Sequence, residues 1–267
     1  MGGPQGGIPP KTLGEILSAA FDIYRANASK LILVIALVVV PLSLIGALFF
    51  GVVFAPERIE LGSTGSGVVV DYAGRSWGAN LLVASIGALI AIIISAVLQA
   101  AILRAAAQAT IGDPVDVEAS YRYGFKRLGS VILLSLLVGL IVAVGFILLI
   151  VPGIILLVFL SATIPVLIVE NRRGTEAMSR SWDLVRGHFW HALVVILVAA
   201  LIVGVVSGII GAIGGANWFV RWIFTSIAQI LTAPFAALVS VLLYLDLRAR
   251  SETLTAETLR GELASGS

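Results

Sequence analysis

The stretch "LGSVILLSLLVGLIVAVGFILLIVPGIILLVFLSATIPVLIV", Leu128 to Val169, holds 42 residues without one Asp, Glu, Lys, Arg or His. A membrane-spanning helix needs about 20 apolar residues, because ~30 Å of hydrocarbon is crossed at ~1.5 Å per residue. The run is therefore long enough to cross twice. Its natural break is "IVPGII", where Pro152 and Gly153 are turn formers. The stretch predicts a helical hairpin, with a second arm short enough to be re-entrant.

The same reading extends outward along the chain. Further uncharged runs cover 31–55, 76–103, 187–220 and 222–245. The run 187–220 can end near Gly214 and Gly215, which leaves "ANWFVRW" as a connector. The predicted fold class is all-α: a polytopic membrane helical bundle of six transmembrane helices, at about 31–54, 79–103, 129–150, 154–170, 190–213 and 222–245. Residues 1–10 are expected to be a flexible leader, 11–248 the membrane domain and 249–267 a tail. The leader has neither the pattern of a signal peptide nor that of a myristoylation site. Composition agrees with a membrane protein. The 267-residue chain is 59% hydrophobic and 12% charged, against about 45–50% and about 25% in soluble domains. The absence of cysteine excludes disulfides, thiol catalysis and cysteine-based metal sites.

Charge orients the bundle. With the N-terminus inside, 14 of the 17 Lys and Arg residues fall in inner segments and only Arg58, Arg75 and Arg221 fall outside. Cytoplasmic loops carry such an excess, so both termini are expected on the cytoplasmic side of a bacterial cytoplasmic membrane. Trp77, Trp218 and Trp222 fall at the predicted outer boundary, and Trp182 and Trp190 at the inner one, where an amphipathic ring is favoured.

A repeat lies under the hydrophobicity. "GEILSAAFDIYRANASKLILVI" (14–35) aligns without gaps on "TEAMSRSWDLVRGHFWHALVVI" (175–196). Glu15 meets Glu176, Phe21 meets Trp182, Asp22 meets Asp183 and Arg25 meets Arg186. "VEASYRYGFKRLGSVILL" (117–134) follows more loosely, with Phe125 one residue late. The chain thus reads as a three-unit internal repeat, each unit an amphipathic cytoplasmic-interface helix followed by two spans. In the third unit Met178, Trp182, Val185 and Phe189 step by 4, 3 and 4 into an apolar stripe opposite Glu176, Arg180 and Asp183. In the first, Leu17, Phe21, Tyr24 and Ala28 form the stripe. Such a stripe suits either the acyl boundary or packing on the bundle.

The segment "VPGIILLVFLSATIPVLIVENRRGTEAMSRSWDLVRGHFWHALVVILV" (151–198), with "TLGEILSAAFDIYRANASKLILV" near the N-terminus and "LLYLDLRAR" near the end, resembles the bacterial integral-membrane family named after the membrane domain of glycerophosphoryl diester phosphodiesterase. In some members that region is joined to a catalytic domain, a barrel of about 250 residues. The longest non-membrane piece here is about 25 residues, too short for a domain. The resemblance therefore implies a fold and a location but no activity.

The chemically active residue types are few. His188 and His191 are the only histidines, and two ligands fall short of the three or four a metal site needs. No metal, cofactor or catalytic set is expected, and no nucleic-acid partner. Arg172, Arg173, Arg180 and Arg186, with Trp182, Trp190, Phe21 and Arg25, are candidates for contacts to membrane lipids or a partner protein. Topology marking alone explains the arginines equally simply. The spans hold no ionisable residue except at their boundaries, which argues against ion-coupled transport. Gln99 and Gln229 are amides that want partners in hydrocarbon. Gly204, Gly208, Gly211 and Gly215 step by 4, 3 and 4 and are candidates for close helix packing within the chain, or between copies. Pro41, Pro165 and Pro234 are expected to kink spans one, four and six, and "GVVVDY" in the first outer loop to form a small hairpin. The leading expectation is a non-catalytic membrane scaffold or accessory subunit that engages lipids or a partner. A permease or lipid translocator is the second reading. A membrane-embedded hydrolase or transferase using His188, His191 or Glu170 is the third.

Overall fold

A computed structural model describes residues 9–53, 58–61, 68–71, 77–214 and 218–265, with side chains described over 9–41, 92–214, 220–255 and 257–262. Its helices are α1 (Leu13–Val53), α2 (Trp77–Thr110), α3 (Val117–Lys126), α4 (Leu128–Leu148), α5 (Ile150–Phe159), α6 (Thr163–Val169), α7 (Thr175–Arg186), α8 (Phe189–Ile213), α9 (Trp218–Ser251) and α10 (Ala256–Ser265). Six helical segments are long and apolar enough to cross a membrane: 13–41, 92–110, 128–148, 150–169, 189–213 and 220–251. Among the described residues the bundle is all-α apart from one hairpin between α1 and α2, where β1 (Arg58–Leu61) pairs antiparallel with β2 (Val68–Asp71), Ile59 opposite Val70. Gly215 and most of the leader lie outside the described residues, as do the side chains of Trp77 and Trp218.

Helix α9 is central and packs on α1, α2 and α8. Leu238, Leu242, Tyr244 and Leu247 are buried along it. Small residues dominate the facing side of α2, where Ala100, Ala101, Ala105 and Ala106 are buried and let the backbones approach.

Breaks in the helices follow local chemistry. A capping box opens α1: Thr12 N–H donates to Glu15 Oε2 at 2.7 Å, and Glu15 N–H to Thr12 Oγ1 at 3.4 Å. Within α1 the backbone leaves helical geometry at Asn27 (φ −119°, ψ 16°), whose amide donates to Ile23 O at 3.2 Å. The break therefore falls at the foot of the first span and not at Pro41. In the 128–169 run it falls at Leu149 (φ −164°, ψ 154°), three residues before Pro152. Proline is tolerated in the first turn of a helix, so Pro152 starts α5 and does not form the turn. A Cβ on Gly153 would sit 2.5 Å from Phe146 Cγ, and one on Gly145 3.0 Å from Gly153 Cα. The hairpin closes through these two glycines. Its second arm breaks again at 160–162, between α5 and α6. Pro165 has no N–H to offer Ser161 O and crowds it, which accounts for the interruption.

Among the described residues, three glycines of the α8 stripe, Gly204, Gly208 and Gly211, meet little of the chain. Gly204 and Gly208 have nothing within 4 Å of a built Cβ, and Gly211 only Thr225 Cγ2 at 3.7 Å. The close approach is at Gly214, where a Cβ would sit 2.4 Å from Arg221 Cα. The stripe lies on the outer face of α8, because the buried side is the one carrying Ala192, Val195 and Ala199.

Candidate functional site at the basic rim

One end of the bundle gathers the first turns of α1, the end of α2, α3, α7, the end of α9 and α10. Polar contacts tie these pieces together. Arg260 on α10 pairs with Asp113 after α2 at 3.4 Å. Arg180 on α7 pairs with Glu252 after α9 at 3.0 Å. Lys11 N–H donates to Asp246 Oδ1 on α9 at 2.6 Å.

Of the two roles open to the apolar stripe, packing on the bundle falls mainly to a neighbouring face, which shares Val185 with the stripe. On α7, Ala177, Ser181, Leu184 and Val185 are buried, while Trp182 is 39% exposed. On α1, Ile16 and Ala20 are buried and Phe21 is 56% exposed. On α3, Ser120, Tyr123 and Gly124 are buried and Phe125 is 65% exposed. The pairs Ile16/Ala20, Ser120/Gly124 and Ala177/Ser181, each four residues apart and each with at least one small member, press into the bundle. A Cβ on Gly124 would meet Val97 O at 2.9 Å. The aromatic one residue further points out in all three. Each helix thus has two apolar sides, one turned into the bundle and one, carrying the aromatic, turned away from it. Trp182 is partly sheltered, stacked on Phe159 at 3.9 Å, and Trp190 is 75% exposed. Asn27 and His188, which face each other in the repeat alignment, are both break residues. His188 (φ −136°, ψ 30°) separates α7 from α8 as Asn27 interrupts α1.

Two buried charge clusters hold the rim. In the first, Glu170 at the end of α6 accepts from Arg180 Nε at 3.1 Å with both oxygens and from Tyr244 Oη at 3.0 Å, and forms an ion pair with Arg172, whose Nε lies 2.9 Å away. Arg248 donates to Tyr244 Oη at 3.1 Å, forks onto Glu262 at 2.5 and 2.7 Å, and meets Glu252 through Nε. Burial alone would lower the Arg180 pKa, but Glu170 and Glu252 outweigh it and raise it. Burial likewise pushes Glu252 up, and Arg248 and Arg180 more than reverse this, so its carboxyl titrates below its ordinary value. In the second cluster Asp246, fully enclosed, accepts from Arg250 Nε at 2.8 Å and Lys11 N, and Arg250 donates to Lys11 O at 2.7 Å. His191 Nε2 lies 3.0 Å from Asp246 Oδ2, outside hydrogen-bond alignment.

Of the residues singled out from sequence, Arg180 and Arg172 belong to the first cluster. Arg173, Arg186 and Arg25 are exposed, and so are Phe21 and Trp190. Glu170 is held by arginines and Tyr244, while His191 faces Asp246. His188 Nδ1 is enclosed without a hydrogen-bond partner among the described residues. Sequence reading missed Arg104, Tyr244, Asp246, Arg248, Glu252 and Glu262. Apolar runs stop at the first charge, whereas α2 and α9 continue for further turns, so Arg104, Asp246 and Arg248 are buried inside helices. The available signal was the pair of opposite charges four apart, Asp246–Arg250 and Arg248–Glu252. Gln99 finds a partner, accepting from Ser135 Oγ at 3.1 Å, whereas Gln229 is exposed on α9. Among the described residues no three His, Asp or Glu side chains group as metal ligands would.

These features describe a multi-pass integral membrane protein with its interfacial helices folded onto one end. No family model matches the chain, and neither a curated protein nor a solved structure shows significant similarity to it.

Proposed function

We propose that this chain is a non-catalytic scaffold or accessory subunit of a bacterial cytoplasmic membrane, whose interfacial helices engage anionic lipid headgroups or a partner protein at the cytoplasmic side. One observation carries the reading. Phe21 and Arg25 on α1, and Trp182 and Arg186 on α7, are exposed aromatic–arginine pairs at i and i+4, and α3 exposes Phe125 and the adjacent Lys126 at its end. An aromatic ring at the acyl boundary beside a cation at headgroup level is the chemistry of anionic-membrane contact. The excess of basic residues at this end supports its cytoplasmic placement. Residues 151–198 support membership of the phosphodiesterase-membrane-domain family, as a form without the catalytic domain.

The test is purification into nanodiscs of mixed phosphatidylcholine and phosphatidylglycerol, followed by lipid and protein mass spectrometry. Wild-type protein is expected to enrich phosphatidylglycerol or to carry a partner, and F21S/F125S/W182S to lose most of that enrichment. If wild-type protein enriches no lipid and carries no partner, the proposal fails.

A further inference from the structure

The rim encloses several arginines, and one differs from the rest. Arg180, Arg248 and Arg250 each meet a carboxylate. Arg104 is 6% exposed, and its Nε and Nη1 are enclosed with no hydrogen-bond partner among the described residues. Its guanidinium lies over the Tyr123 ring, Cζ 4.3 Å from the centroid. The ring face attracts the cation but leaves its N–H donors unsatisfied. The Arg127 guanidinium approaches the same ring at 5.7 Å, and Arg173 is near enough to act on Tyr123 electrostatically. Tyr123 is itself fixed, donating to Ile168 O at 3.1 Å. Burial pushes the Tyr123 hydroxyl up, against the pull of these three arginines, so the phenol stays neutral and supplies no counter-charge. The acid that acts on Arg104 is Asp116, whose side chain caps α3 by accepting from Ala119 N–H at 3.0 Å.

An enclosed cation without a paired carboxylate calls for an anion from outside the chain. We infer that Arg104, with Arg127 beside the same Tyr123 ring, holds one phosphate-type oxyanion between α2, α3 and the end of α6. Such a group has several acceptor oxygens and can take two parallel N–H donors from one guanidinium edge. Arg104 lies six residues before the end of α2, ~9 Å below the rim at ~1.5 Å per residue. A lipid phosphate and free inorganic phosphate share this chemistry, and the experiment separates them. The inference goes beyond the outward edges proposed above, because it concerns one enclosed site that those aromatics do not line.

Full-length protein is placed in phosphatidylcholine nanodiscs and titrated with inorganic phosphate at constant ionic strength. It is also placed in discs containing phosphatidylglycerol without free phosphate. Bound oxyanions are counted by native mass spectrometry after stepwise delipidation. One tightly held oxyanion is expected on wild-type protein. R104Q should weaken it by about tenfold or more, R104K by less, and R122Q not at all. Retention only in the phosphatidylglycerol arm assigns a lipid headgroup, retention only in the phosphate arm assigns the free ion, and both assign the shared group. If wild-type protein holds neither, or R104Q holds it as tightly as wild type, the inference is overturned. Should R104Q fail to fold, the wild-type unfolding temperature decides. It must rise with phosphate or phosphatidylglycerol and not with equal chloride, and no rise overturns the site. F21S/F125S/W182S must keep the single oxyanion while losing bulk lipid enrichment, so this site and the outward edges fail separately.

Discussion

Replacing Glu170 by Gln tests whether the first charge cluster holds the rim together. The amide keeps one acceptor oxygen and turns an NH2 group toward a donor. Glu170 is 5% exposed at its side chain and Arg180 18%, so neither can turn to water, whereas Arg172 is 49% exposed and can. The loss is therefore one charge-assisted bond to Arg180 and a donor facing a donor. Charge-assisted bonds contribute about 1.5–3 kcal/mol each, and breaking a buried pair from one side costs about 3–5 kcal/mol. Glu252 still holds Arg180 Nη2 at 3.0 Å, which places E170Q near the lower end, at about 3 kcal/mol. At about 2–4 °C per kcal/mol for a chain of this size, the unfolding temperature should fall by about 6–12 °C. The assay is thermal unfolding of the purified protein followed by tryptophan fluorescence. E118Q is the control, because the Arg122–Glu118 pair is 65% and 87% exposed and exposed pairs of this kind contribute about 0.5 kcal/mol. Adding R180M to E170Q should restore part of the loss by removing the unpaired cation. A fall for E170Q no larger than that for E118Q would refute the reasoning.

Three further outcomes follow from the same contacts. Glu252 titrates below its ordinary value in the folded protein, so its contribution is fully present above that ordinary value and is lost as pH falls through the lowered one. Amide protection factors over α7, with exchange rates corrected for their intrinsic pH dependence, should fall on acidification across that window, and E252Q should remove that fall. G153L should lower the unfolding temperature, because a Cβ there already overlaps the Phe146 ring and overpacking costs about 1–3 kcal/mol. G204L, which meets open space, should leave it unchanged, and equal effects of the two would contradict the hairpin packing. The chain has no cysteine, so single substitutions report topology: a membrane-impermeant maleimide should label S63C in intact cells and S179C only after permeabilisation. The reverse pattern would invert the proposed orientation.

The spans were legible because hydrocarbon thickness imposes a length that an uncharged run displays directly. The rim was less legible, for two physical reasons. Hydropathy ends a span at its first charge, but the helix ends where its backbone bonds end. Hence α9 runs to Ser251 and carries Asp246 and Arg248 into the bundle. The apolar stripe of an interfacial helix left its docking face open. Bulky residues make Trp182 and Phe21 conspicuous, whereas the bundle face carries the small residues Ala177 and Ser181, or Ala20. Close approach in a membrane favours small side chains, which scarcely register on a hydrophobicity scale. The repeat alignment did contain the answer, since Asn27 and His188 correspond in sequence and both interrupt a helix. Its meaning needed backbone angles.

The repeat also poses a problem that the polar contacts resolve. Three interfacial helices carry interchangeable small faces, and in lipid no hydrophobic gain discriminates among docking sites. Each helix has its own polar key. Ser181 Oγ donates to Phe159 O at 2.7 Å, which seats α7 on α5. Tyr121 donates to Val34 O and seats α3 against α1, and burial raises the Tyr121 pKa to about 12, so the donor proton is kept at any physiological pH. The start of α1 is seated by Asp246 and Arg250, which grip Lys11 through its backbone N–H and C=O and so ignore its side chain. Buried polar groups add little net stability, and fixing register is their best-attested use. In this bundle they sit where the apolar surfaces are least able to choose. Arg104 fits no such key: among the described residues its enclosed Nε and Nη1 seat no helix through a hydrogen bond, which is why they point to a ligand and not to assembly.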